Sequence, residues 1–391
     1  MKKSLLAIFL VISLLIASII YLNTKEVTVS VSLDDDLTFQ VYSDTSLDDI
    51  IKSINGTYKN ERLNTKKVGK NEYTLTYKND DNRLASYTFT YEVVDDIPPV
   101  ISLNSLYYVD LGSDEDFAKE VFCGDNYDDK PTCQVVGNYD FNTVGDYPLV
   151  YEAIDSSGNV TRKDFTISVR EKKDYQVPSS EKEKIAFKDF YQENKTANTL
   201  IGIDVSKWQQ DIDYEKVKEA GVEFAFIRIG TRKGIDKDFV LDPKFKENIE
   251  GFNKVGIKTG IYFYSYAKDK KDAKKEALWV LKELKGYDIK LPIVFDWENF
   301  SFYQEFNLSF YHLGEIADTF LETVGKEGYQ GMLYGSKYYL ENVFTNNTYP
   351  VWLAYYANNT TYQNEYNIWQ KTDRGVVDGI NNLTDLDILY K

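Results

Sequence analysis

Histidine is almost missing: His312 is the single one in 391 residues. A serine–histidine–aspartate triad or a zinc site built on imidazoles therefore lacks its usual parts, and His312, inside the helical pattern "LSFYHLGEIADTF", is expected to be structural. Cysteine is nearly as scarce. Cys123 and Cys133 sit close together in "FCGDNYDDKPTC", which spells no metal or redox motif and fits a loop-closing disulfide in an oxidising compartment. Basic residues are the minority, 46 against 62 acidic, for a net charge of −16. That balance disfavours phosphate backbones, so nucleic acid is excluded as a partner and neutral or cationic polymers are the easier ones. No calcium-type loop is spelled either, and neither a metal nor a cofactor is expected.

Long apolar runs are also lacking after the first two dozen residues. The exception, "LLAIFLVISLLIASIIYL" behind Met1-Lys2-Lys3, would span about 27 Å as a helix, close to a bilayer core. Residues 1–24 are expected to be a membrane anchor with the lysines inside and everything after it outside the cell. The alternative is a signal segment cleaved on secretion, although the residues three before Ala17 and Ser18 are large.

Between the anchor and residue 171 the chain reads as all-β, with alternating runs such as "EYTLTYKN" and "YTFTYEVVD". It also repeats: "VGKNEYTLTYKNDDNRLASYTFTYEVVD" is echoed by "VGDYPLVYEAIDSSGNVTRKDFTISVRE". Two sandwiches, 25–96 and 97–171, are expected. The second, from "DIPPVISL" to "DSSGNVTRKDFTISV", resembles bacterial immunoglobulin-like repeats of cell-surface proteins, which implies a spacer role. Residues 172–197, charged and carrying Pro178 and Ser179-Ser180, read as a linker.

From 198 to 391 the grammar changes to strand, helix and glycine stop: "LIGIDVS" then "DYEKVKEAG", "EFAFIRIG" then "PKFKENIEGFNKVG", "KTGIYFYSYA" then "KKDAKKEALWVLKELKG", "LPIVFDWEN" then "SFYHLGEIADTFLETVGKEG". Four more candidate strands follow, and eight in all predict a closed, irregular TIM-like (β/α) barrel of parallel strands. Chemistry in such a barrel belongs at the carboxyl ends of the strands. In "PIVFDWEN" alternation points Asp296 and Glu298 the same way and Trp297 the other. Asp204 takes the equivalent place on the first strand and Asp385 begins or precedes the last. Neighbouring carboxylates resist joint ionisation, so one can hold a proton near neutral pH as a general acid, the logic of a glycosidase. Any one of them alone is as readily a solvated rim charge. Tyr262, Tyr264, Tyr334, Trp352, Tyr355 and Trp369 lie on or beside predicted strand ends, where flat aromatic faces stack on sugar rings. For each alone, core packing is an equally good account.

"GIDVSKWQQDIDYEKVKEAGVEFAFIRIG", "PIVFDWEN", "GMLYGSKYYLENVF", "YPVWLAYYA" and "WQKTDRGVVDGINNLTDLDILY", in that order, together resemble glycoside hydrolase family 25, the muramidases. The resemblance implies metal-free cleavage of the β-1,4 bond from N-acetylmuramic acid to N-acetylglucosamine in peptidoglycan glycan strands. It implies Glu298 as general acid, Asp296 as the ionised group that orients the substrate acetamido group or stabilises the anomeric carbon, and Asp204 and Asp385 as supporting acids. Two departures stand out: Thr384 replaces the family's valine before Asp385, and "IRIGTRKGIDKDF", with Arg228 and Arg232, lacks the glutamate many members carry after strand two. Two other functions stay open, a catalytically silent wall-glycan binder and a glycosidase for another amino-sugar polymer such as chitin.

Overall fold

The computed structural model describes residues 27–114, 116–117, 121–171, 183–234, 236–298 and 307–391. The chain forms two compact units, Met1–Asp96 and Ile97–Lys391.

In the first unit a mixed sheet runs in the order Thr38–Gln40, Leu84–Val94, Gly69–Asn79, Gly56–Thr57, and a ribbon pairs Val31–Leu33 with Ile51–Ile54. Alternation in the long hairpin buries Leu75, Tyr77, Phe89, Tyr91 and Val93 on one face. The second unit opens with a comparable arrangement, a sheet ordered Thr132–Val136, Gly145–Ile154, Val160–Arg170, Leu106–Asp110 and a ribbon of Val100–Ser102 with Phe122–Gly124. Cys123 and Cys133 are disulfide-bonded and tie ribbon to sheet edge.

The expected fold class needs correction in four places. Among the described residues no helix is long and apolar enough to cross a membrane, and the expected anchor, 1–24, lies outside them. The two β segments are each one mixed four-stranded sheet with a two-stranded ribbon, and the immunoglobulin-like assignment is not carried further. The second of them does not stand off as a spacer: the Phe310 amide donates to the Asp125 carbonyl at 2.8 Å and the Phe122 and Phe310 rings stack at 6.1 Å. Finally, the expected linker is folded in its second half, where Phe187–Asn194 is a helix whose Phe187 and Phe190 join the core; the apolar stripe at i and i+3 is hidden among charges in the sequence.

The rest of the second unit is a closed ring of eight strands: β1 Thr199–Val205, β2 Phe224–Arg232, β3 Lys258–Tyr264, β4 Ile293–Asp296, β5 Gly331–Ser336, β6 Val351–Ala354, β7 Ile368–Val376 and β8 Thr384–Tyr390. β1 to β7 run parallel, as expected, but β8 is antiparallel to both β7 and β1. The link between β7 and β8, 377–383, is too short for a parallel crossover, which needs a dozen residues or more. This ring is therefore no regular TIM barrel. Helices α1 Tyr214–Glu219, α2 Phe245–Lys254, α3 Lys270–Glu283, α4 Phe310–Lys326 and α5 Lys337–Asn342 follow the first five strands. Asp213, Asp269, Ser309 and Ser336 cap α1, α3, α4 and α5 by accepting backbone amides.

Strand alternation sorts the barrel into two cores. Ile203, Ile227, Phe263, Phe295 and Leu333 face the helices, while Phe224, Phe226, Val294, Met332 and Trp352 fill the interior. Residues two further along the inward rows emerge at the mouth, which places the site.

Candidate active site

The mouth collects acids because the inward rows end in them. Asp204 on β1 pairs in register with Asp385 on β8, Asp296 closes β4, and Glu298 stands two residues beyond it. All four line one cavity of about 170 Å³, walled by Tyr262, Tyr334 and Trp352 and completed by Tyr356 and Gln370. A second cavity, about 470 Å³, continues from Glu298, Tyr334 and Tyr356 over Lys337, Glu341 and Tyr355. Together they form a trough of a size for sugar rings, apolar on its faces with polar groups at fixed points.

Burial dominates the electrostatics. Asp296 is 3 % exposed; desolvation first, then the charge and hydrogen bond of Glu298, push its carboxyl well above the usual range, and Arg228 opposes the shift. Glu298 opens on the groove, yet it is crowded closely enough for desolvation to push its carboxyl up as well. The two carboxyls stand close enough for each to act on the other's ionisation, and neighbouring carboxylates resist joint ionisation. Asp296 lies deeper than Glu298, a difference that alternation does not spell, because it says which way a side chain points but not how deep it lies. Asp204 is pushed up by burial and by Asp385 and Asp387, and Asp385 to about 7 by burial and Asp373.

Gln370 organises this acid array. Its amide nitrogen donates to Asp204 Oδ2 at 2.8 Å, and its oxygen accepts from the Tyr334 hydroxyl at 3.0 Å and the Tyr356 hydroxyl at 3.1 Å. Asp387, wholly buried, accepts from Trp352 Nε1 at 3.0 Å and fixes the indole that walls the cavity. Sequence reasoning missed Gln370, Tyr356 and Asp387. Asp387 had a signal, since it lies two residues from Asp385 on the same inward row.

Of the aromatics expected to meet substrate, Tyr262, Tyr334 and Trp352 line the acid cavity and Tyr355 lines the larger one. Tyr264 stands close enough to Asp296 and Glu298 for both charges to raise its phenol further, after desolvation. Trp369 is a correction: it faces the outer core, its Nε1 donating to the Tyr355 carbonyl at 2.8 Å, because Ile368 and Gln370 take the inward positions of β7. Arg228 is paired with buried Asp242 at 2.7 Å, and Arg232 lies between Asp272 and Glu276. His312, on α4, places Nδ1 2.7 Å from Asp129 Oδ1, outside the mouth.

The family model for glycosyl hydrolases family 25 matches residues 203–380. The Escherichia coli K12 protein YegX, itself uncharacterised, is 30% identical over 200 residues, covering 49% of this chain and 69% of that protein. The autolytic lysozyme of Clostridium acetobutylicum is 26% identical over 191 residues, covering 48% of this chain and 55% of that one. Among solved structures, the modular autolysin LytC of Streptococcus pneumoniae in complex with a synthetic peptidoglycan ligand superposes with a TM-score of 0.46 at 22% identity, over 62% of this chain and 56% of that one. A family 25 glycosyl hydrolase from Bacillus anthracis does so with a TM-score of 0.45 at 20% identity, over 55% and 95%. Likenesses at that level carry no weight of their own. The YegX match and the family model, whose range takes in the strands that bring Asp204, Asp296 and Glu298 to one cavity, place this chain in glycosyl hydrolase family 25.

Proposed function

We propose that this glycoside hydrolase cleaves peptidoglycan at the β-1,4 bond between N-acetylmuramic acid and N-acetylglucosamine, with Glu298 as general acid and Asp296 as its ionised partner. The observation that carries the reading is that Asp296 and Glu298 line one aromatic-walled cavity with Asp204 and Asp385. Glu298, on the groove side, is the carboxyl a glycosidic oxygen reaches. Glu298 delivers its proton to the leaving oxygen of a bound sugar, and Asp296 is charged beside the anomeric carbon, where it stabilises the developing positive charge or orients the acetamido group. Arg228 favours that charged form of Asp296. The Cys123–Cys133 bridge supports work in an oxidising compartment, where peptidoglycan is met.

The test is reducing-end release from purified peptidoglycan by the whole chain and by Glu298→Gln. Removal of a general acid lowers turnover by about 10²–10⁴-fold. Unchanged release by the variant would refute the assigned acid, and digestion of chitin without attack on peptidoglycan would move the substrate to another amino-sugar polymer.

A further inference from the structure

Trp208 is 65 % exposed, the most exposed tryptophan among the described residues. A single exposed apolar side chain ordinarily needs no explanation. Here the backbone beneath it is held on every side. The Trp208 amide donates to Ser206 Oγ at 3.3 Å and its carbonyl accepts from Asn382 Nδ2 at 2.7 Å. The adjacent Gln209 side chain accepts from the Ser206 amide at 2.8 Å and donates to the Leu383 carbonyl at 3.1 Å. Gln210 then turns the chain away at φ 56°, ψ −133°, a conformation that costs a non-glycine residue about 1–3 kcal/mol and persists only where the surroundings impose it. A backbone held this firmly fixes where the exposed indole is presented, which is what a preorganised platform needs.

Its place is equally specific. The 3₁₀ turn Lys207–Gln209 follows directly on β1, whose Asp204 lines the acid cavity. In a ring of eight strands β1 stands opposite β5, and β5 with its neighbours β4 and β6 carries the larger cavity around Tyr334, Ser336 and Ala354. A glycan lying in that cavity and continuing past the acid pair toward β1 heads for the Lys207–Gln209 turn, which lies beyond the lining of both cavities. Lys207 Nζ lies over one face of the indole, 4.6 Å from its centroid, and sets a positive charge there on a chain whose net charge is −16.

We propose that Trp208 and Lys207 form a second glycan subsite on the far side of the acid pair, the indole stacking on a sugar ring and the ammonium meeting a carboxylate carried by that sugar. This deepens the peptidoglycan reading and rests on it for the identity of the sugar. Such a carboxylate has two sources, the lactyl group of a stem-free muramic acid and the peptide stem of an intact one.

The experiment uses the full chain in the Glu298→Gln background, so that binding is measured without turnover. Titration calorimetry compares soluble peptidoglycan glycan strands bearing stems, the same strands freed of stems by an amidase, and chitohexaose. Trp208→Ala is expected to weaken all three about five- to ten-fold, the worth of one aromatic stack, and Trp208→Phe to recover most of that loss. Lys207→Gln is expected to weaken the carboxylate-bearing strands and leave chitohexaose unchanged; a loss confined to stem-free strands identifies the lactyl group, and one confined to stem-bearing strands the peptide. Equal affinity of Trp208→Ala and its parent for every ligand overturns the subsite, as does a parent that binds no glycan. Failure of the wild-type chain to release reducing ends while the parent still binds instead counts against the enzymatic reading alone.

Discussion

Gln370 and Asp204 meet at the top of the barrel, the amide nitrogen of one 2.8 Å from the carboxylate oxygen of the other, and the Tyr334 and Tyr356 hydroxyls close on the same amide. Gln370→Leu removes one donor and one acceptor and leaves two buried polar groups, Asp204 and the Tyr334 hydroxyl, short of a partner. Each such group costs about 1–3 kcal/mol. The variant is expected to lose stability in urea melts and to lose kcat/KM about 10- to 100-fold, the effect of a misplaced catalytic group. Gln370→Glu adds a carboxyl to an array that already resists ionisation and is expected to be worse for activity at pH 7 than at pH 5.

Asp387 and Trp352 provide a second check. Asparagine in place of Asp387 still offers an oxygen to Trp352 Nε1, whereas leucine strands the indole N–H. Asp387→Asn is expected to stay near the parent in stability and activity, and Asp387→Leu to lose about 1–3 kcal/mol with a matching fall in sugar affinity. A thermal melt and a binding isotherm measure both.

The buried acids fix the sign of the pH dependence. Asp385 is raised to about 7 from its ordinary value of 3.8, so between those limits the folded state binds more protons than the unfolded one. Its contribution to stability is therefore full below about pH 4 and is lost as pH rises through 7. Asp204, Asp296 and Asp387 shift in the same direction. Asp385→Asn is expected to flatten the fall in melting temperature from pH 5 to pH 8 and to raise the value at pH 8, by roughly 2–4 °C for each kcal/mol relieved in a domain of this size.

Cys123 and Cys133 close a short loop that joins the ribbon to the sheet edge. Replacing both with serine is expected to cost about 2–3 kcal/mol, read as earlier proteolysis within 97–171. The barrel acids draw no support from the bridge, so activity at low temperature should change little.

Much of the site was legible because period-two alternation is a strong signal where a strand is short and apolar. "PIVFDWE" sends Asp296 to the mouth and Trp297 into the outer core, where it is 1 % exposed. In "NIWQKT" the same alternation puts Gln370, not Trp369, on the inward row, and beside Asp385 it puts Asp387 on that row too. The direction of β8 was hidden because a strand reads the same in either sense, and only the brevity of 377–383 betrays the hairpin. The helix Phe187–Asn194 was concealed by its charges, since two phenylalanines suffice to dock it. The depth of Asp296 relative to Glu298 depends on packing from several strands at once and has no local spelling.

The most direct test is the digestion of purified peptidoglycan by the full chain and by Glu298→Gln, with mass spectrometry of the fragments. The wild-type chain should release fragments ending in reducing N-acetylmuramic acid, and the variant about 10²–10⁴-fold fewer. Equal release by the two chains, or new ends on N-acetylglucosamine, would contradict the account.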